Sequence, residues 1–377
     1  MKMLMQLHQR LLSNWQLLLL PLLVLLTQCH KNMDQPNLSG FKQVNLVANN
    51  NKYSNTHTDP TLVNAWGLAF SPNGIAWVNA ADGHVSEVYD KEGGILRPPV
   101  NIPSPDALTG GSPTGIVFNN GSNNDFSLSN NQKAAFLFVG EDGVISGWNQ
   151  AAGNNALRIK DNSANANYKG LAMGQNSKGQ DLLYAANFIK GTIDVWDAGF
   201  NSMAMSFKDS GIPAGYGPFN IKNIDGQLFV AYAKVGDDGD EEKGAGNGYV
   251  SIFTTDGSFV KRFASQGMLN APWGLAKASA DFFPDGNGNG MGNGNHSSHL
   301  PAILVGNFGD GKINAYSLDG TFMGQLKSKD NKVIVIDGLW ALSFAPATAT
   351  AVDPNRLYFT AGPDDESDGL FGYLIKE

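Results

Sequence analysis

The chain has 377 residues, with 26 Lys and Arg against 34 Asp and Glu, a formal net charge of −8. This acidic balance argues against a nucleic-acid binder, which presents a basic face. A hydrophobic share of 42% with a charged share of only 16% excludes a disordered chain and one built of Ala-, Glu-, Lys- and Leu-rich helices. The 45 glycines, with abundant asparagine and aromatic residues, point instead to short strands joined by tight turns.

The chain opens on a leader. Lys2 and Arg10 precede an apolar run at 17–26, with no acidic residue before it. That is the pattern of a secretory signal, and the run is too short for a dependable membrane span. The single cysteine, Cys29, follows directly, so no intramolecular disulfide can form. Leu26-Thr27-Gln28-Cys29 resembles a bacterial lipobox, in which the cysteine becomes the first mature residue and carries the lipid; Gln28 stands where a small residue is usual. The reading is a lipoprotein signal peptide at 1–28, a polar tether at 29–40, and one domain over 41–377.

Repeats decide the fold of that domain. A glycine, one residue, an apolar residue and then a strand ending near an aromatic recur at Gly83, Gly143, Gly191, Gly248, Gly311 and Gly369, 48–63 residues apart. Before each copy comes a second segment: 66–70, 114–118, 169–173, 219–222, 273–276 and 340–344. Between the two lies a third: 75–79, 135–139, 182–186, 227–232, 302–305 and 356–360. A weaker fourth strand follows in several units, as at 99–102 and 258–263. Units of this length with three or four strands are propeller blades. The expected fold is all-β, a six-bladed β-propeller. The last unit has only three strands and 41–47 is an orphan, so the N-terminal strand is expected to close the last blade and leave no open edge.

At this point the residues resemble a known family. Residues 44–47, Asn64-Ala65-Trp66-Gly67-Leu68-Ala69, Asn187-Phe188 with 191–197, 271–276 and 305–316 are similar to an uncharacterised family of exported bacterial six-bladed propellers. Some of its members carry a C-terminal PEP-CTERM signal; the end of this chain finishes a strand instead. More distantly, the repeats resemble NHL-type and lactonase-like propellers. The resemblance implies the fold and an exported address but brings no established activity.

In a propeller, the loops leading into the first strands and the hairpins between strands two and three share one face around the channel. That places Trp66, Asn79, Asn187, Trp273, Asn307 and Trp340 at one channel mouth as candidate ligand-binding residues. Asn79, Asn187 and Asn307 read as equivalent positions in three blades. A ring of amides and carboxylates there suits a hard cation or a sugar, with Glu141, Asn187, Asn307 and Asp364 as candidate metal ligands and calcium as the candidate cofactor. The acidic run 237–242 is expected to overhang that mouth, favouring cations or neutral polar ligands. The stretch 285–290 matches the first half of a calcium loop, but His296 stands where the bidentate glutamate belongs. No P-loop, G-x-S-x-G or H-E-x-x-H motif is present. The expected role is a monomeric binding or scaffold module, lipid-anchored at the periplasmic or outer cell surface, for a protein, glycan or small molecule. The alternative is a metal-dependent lactonase-like hydrolase or lyase with its site at the channel.

Overall fold

The structure, a computed structural model, describes residues 35–122, 124–283 and 300–377. The leader with Cys29, the stretch 285–290 and His296 lie outside the described residues.

The repeated segments fold as six antiparallel sheets, each numbered outward from a central channel. Their innermost strands are Ala65–Phe70, Pro113–Phe118, Tyr168–Gln175, Tyr216–Ile224, Pro272–Ala278 and Leu339–Phe344, each adjacent to the next around a closed ring. The second strands are Ala76–Ala80, Phe136–Gly140, Asp181–Asn187, Gln227–Lys234, Ala302–Asn307 and Leu357–Ala361. The third are Val85–Tyr89, Val144–Trp148, Thr192–Asp197, Gly248–Thr254, Ile313–Tyr316 and Leu370–Lys376. The fold is the expected six-bladed β-propeller.

A fourth strand is present in every blade, more regularly than the sequence suggests. Val100–Asn101, Leu157–Asp161, Ser202–Met203, Phe259–Ser265 and Phe322–Gln325 fill this place in blades one to five. In blade six the place is taken by Phe41–Ala48, which pairs antiparallel with Leu370–Lys376 through a bulge between Asn45 and Val47. His57–Thr58 adds a short parallel strand outside it. At its start Phe41 stacks on Phe282, centroids 4.9 Å apart, and so ties the closing strand to blade five as well.

Glycine in the second position of the inner-strand motif has a steric reason. A Cβ on Gly67 would lie 2.0 Å from the Thr114 carbonyl oxygen of the next blade, and one on Gly115 would lie 2.6 Å from the Leu171 nitrogen. The inner strands therefore pass at backbone distance, and the channel between them is narrow.

Where blade six meets blade one, the wall holds a buried polar cluster. The Tyr89 hydroxyl donates to Asp59 Oδ2 at 2.9 Å, and the Thr61 hydroxyl lies within hydrogen-bond distance of both the Asp59 and the Glu87 carboxyl groups. Burial raises the Glu87 carboxyl to a pKa of about 7, with neighbouring Asp59 adding to the rise against the opposing Thr61 bond. An unfolded glutamate titrates near 4.3. Between those values the folded protein keeps a proton that the unfolded chain has lost, so this group's stabilisation is full below about pH 4 and is lost as pH rises through 7. Glu87→Gln cannot ionise. It should stabilise the protein at pH 8 by roughly 1–3 kcal/mol and flatten the fall in stability between pH 5 and 7. Urea melts of both proteins at pH 5 and pH 8 check this; a parallel pH dependence in the two would contradict it.

Candidate functional site

The loops leading into the inner strands and the hairpins between strands two and three meet at one end of the ring, here the upper mouth. Trp66, Trp273 and Trp340 converge there. Trp66 and Trp340 stack with centroids 3.6 Å apart and planes at 14°, and Phe308 stacks on Trp340 at 3.9 Å and 14°. Trp273 meets Trp340 edge-on at 6.0 Å, and Phe219 lies 5.8 Å from it. All five are buried. These rings form a plug that closes the upper end of the channel; they offer no open stacking surface. Their polar edges are largely satisfied. Trp340 Nε1 donates to Asn64 Oδ1 at 2.9 Å and Trp273 Nε1 to the Lys169 carbonyl at 3.1 Å, while Trp66 Nε1 is buried without a partner among the described residues.

The three asparagines fall into two kinds. Hairpin register makes Asn187 and Asn307 equivalent: each ends its second strand just before the turn. Asn187 donates to the Asn165 carbonyl at 3.3 Å and to Asp194 Oδ2 at 3.0 Å. Asn307 donates to the Met268 carbonyl at 2.8 Å and to Asp310 Oδ1 at 3.0 Å. Each clasps its blade's own leading loop. Asn79 stands one residue further from its turn, with Ala80 in the equivalent place. A one-residue offset in a strand turns the side chain to the other face, and Asn79 accordingly reaches the Thr114 carbonyl of blade two at 3.0 Å. The expected threefold equivalence is thus corrected to a pair and an outlier. All three side chains are fully buried.

Beside the plug lies the centre of charge. Lys169 begins the third blade's repeat where blades one, five and six have tryptophan. It is buried, with Nζ 5.2 Å from the Trp66 ring centroid and 5.8 Å from that of Phe188. Its ammonium bonds to Glu141 and lies 3.4 Å from Asp240 and 3.8 Å from Glu241. Burial pulls its pKa down, but the carboxylates of Glu141, Glu241 and Asp240 outweigh this and hold it above the usual lysine value. Glu241 is itself raised to about 7 by burial, against the opposing pull of Lys169. Glu366 is raised by burial although Asn64 Nδ2 donates to it at 2.8 Å. The acidic run 237–242 thus sits over the mouth, with Asp240 and Glu241 turned onto Lys169.

Each of the four candidate metal ligands has a partner of its own within the fold. Glu141 is bound to Lys169, Asp364 lies 3.1 Å from Lys52, and the two asparagines serve the clasps above. Among the described residues no three His, Cys, Asp or Glu side chains form a group that could hold a metal ion. Sequence reasoning passed over Glu366, Phe188 and Phe308. For the two phenylalanines a signal existed: the Asn-Phe pair at 187–188 recurs at 307–308.

Removing the Lys169 charge leaves Glu141 and Glu241 without their counterion. Lys169→Met should therefore destabilise the protein by roughly 3 kcal/mol at pH 8, and by less at pH 5, where Glu241 takes up a proton. Denaturant melts at the two pH values measure both effects; equal losses at both would count against the ion cluster as the cause.

No family model matches the chain. Among solved structures it is similar to a streptogramin B lyase, 13% identical over 89% of this chain and 97% of that one, with a TM-score of 0.48. The virginiamycin B lyase of Staphylococcus aureus gives 13% identity over 89% and 99%, with a TM-score of 0.44. Likenesses at this level assign no activity. Curated sequences come nearer. The uncharacterised protein R648 of Acanthamoeba polyphaga mimivirus is 32% identical over 352 residues, covering 89% of this chain and 80% of R648. The uncharacterised protein L690 of the same virus is 33% identical over 350 residues, covering 89% of this chain and 86% of L690. With a third or so of residues shared along almost the whole propeller, the chain belongs to the family of the mimivirus proteins R648 and L690.

Proposed function

We propose that the protein is an exported, monomeric binding or scaffold module, held at a membrane surface by a lipid on Cys29, and that it receives basic or polyhydroxylated partners at its upper mouth. The observation that carries this reading is the arrangement there. A rigid, buried aromatic plug forms the floor, and exposed carboxylates of Asp240, Glu242, Asp364 and Asp365 stand on its rim, each within 4 Å of a lysine, beside the exposed Asp237 and Asp238. Fixed floors with charged rims suit recognition, and an acidic rim favours cations over anions. Lys169 and its carboxylates are engaged with one another, an arrangement that supports shape more than turnover. The bacterial, exported affiliation rests on the motifs around Trp66, Asn187 and Trp273 and on the lipobox; the relatives that define the family are viral.

Two measurements test the proposal. Expressed in a bacterium, the full chain should partition with membranes and Cys29→Ala should be soluble, because a lipid on one residue is the whole attachment. A Cys29→Ala protein that stays in the membrane fraction would remove the anchor. For the rim, oligolysine should bind the parent with affinity that falls as salt rises. The variant Asp240→Asn/Glu242→Gln/Asp364→Asn/Asp365→Asn should bind at least threefold more weakly. Equal binding by parent and variant in calorimetry would reject the acidic rim as the contact.

A further inference from the structure

At the opposite end of the ring the channel has a different chemistry. Below the inner strands it widens into a cavity of about 510 Å³, walled by Leu68, Phe70, Ile116, Phe118, Leu171 and Phe344. A second cavity of about 450 Å³ opens beside it and shares Lys222, Asn223, Ser343, Phe344 and Pro346. The narrow throat leading up toward Trp273 also touches Lys222. One lysine therefore borders all three spaces.

The repeat shows how unusual that residue is. Strand registers set Lys222 level with Ala69, Val117, Ala172, Ala276 and Ser343 of the other five blades. Five of six members of this ring are small or apolar and uncharged; the sixth is a cation. Among the described residues its ammonium has no hydrogen bond or ion pair. The charged side chains bordering the second cavity, Asp225 and Lys277, are paired with each other. Removal from water lowers the Lys222 pKa. A cation withdrawn from water without a counterion is costly, even with Asn120, Asn223 and Ser343 among the apolar residues of the wall, and nothing in the packing of the blades requires a lysine there, since five alanine-, valine- or serine-bearing blades pack without one.

We propose that the lower mouth is a binding site for an amphipathic carboxylate, an apolar acid whose carboxylate pairs with Lys222 and whose hydrocarbon body lies against Leu68, Ile116, Leu171 and the phenylalanines around them. The volume falls in the range of small-molecule sites, which are mostly apolar walls with a few fixed polar groups. The chain's net charge of −8 does not draw anions in from a distance, so recognition rests on the local pair and the apolar contact. This site is separate from the upper mouth and does not depend on the function proposed for it.

The probes are decanoate and decanol at submicellar concentration, with the full chain. Decanoate should bind the parent with a dissociation constant below a millimolar, and Lys222→Met should weaken it at least tenfold while leaving decanol binding unchanged. In the parent, decanoate but not decanol should slow acetylation of Lys222 by an activated ester, read by peptide mass spectrometry at least threefold. The acetylation measurement needs no variant and decides the matter if Lys222→Met does not fold. Equal decanoate binding by parent and Lys222→Met, an acetylation rate unmoved by decanoate, or no decanoate binding below a millimolar would each overturn the proposal.

Discussion

A ring of sheets has to close, and in this protein the closing contact is the antiparallel pairing of Phe41–Ala48 with Leu370–Lys376. An unpaired sheet edge costs solubility and order, and the single cysteine provides no disulfide to latch the ends. Closure through a strand from the other end of the chain makes the ring's geometry a property of the whole sequence. Once closed, six inner strands share one axis at backbone separation, which is why Gly67 and Gly115 have no room for a side chain. From that crowding follows the form of the channel: a throat too narrow for a ligand, blocked above by stacked rings and opening below into a cavity.

Much of this was legible in the sequence because a propeller repeats its instructions. Glycine, the inner-strand motif and the aromatic strand end recur often enough to give blade number, strand order and closure. What the repeat does not encode was harder to read. The outer strands Ser202–Met203 and Phe322–Gln325 are short and exposed, and carry little apolar periodicity. The candidate site was read less well than the fold. The sequence brings Trp66, Trp273 and Trp340 to one place but does not say that they fill it. Asn79 looks like Asn187 and Asn307 in a one-dimensional alignment, and only the hairpin register reveals the one-residue offset that sends its amide to the next blade. Glu366 accepts from Asn64 at the seam between blades six and one, and no local pattern announces a contact between residues so far apart in the chain.

The two ends of the channel answer the same electrostatic problem differently. At the upper mouth one buried lysine is shared by the carboxylates of Glu141, Asp240 and Glu241. Such clusters add little net stability over apolar packing, but they are sensitive to the loss of any one member. They fix a geometry, and here the geometry fixed is the position of the 237–242 loop over the plug. Glu87 at the blade-six seam shows the alternative, a buried acid with no cation beside it whose pKa burial raises to about 7, so that it holds its proton below neutral pH.

The departures from the repeat therefore carry more information about function than the repeat itself. In the upper layer the ring reads Trp66, Thr114, Lys169, Phe219, Trp273 and Trp340; in the lower it reads Ala69, Val117, Ala172, Lys222, Ala276 and Ser343. Each layer has one cation. The upper one is answered by Glu141 and Glu241 from neighbouring hairpins, so its charge is already used within the fold. The lower one has no answering group among the described residues. A structural role explains the first lysine fully, because deleting it strands two acids. The same argument fails for the second, since an alanine in its place would leave nothing unpaired. A charge that the fold does not need is best accounted for by something outside the fold.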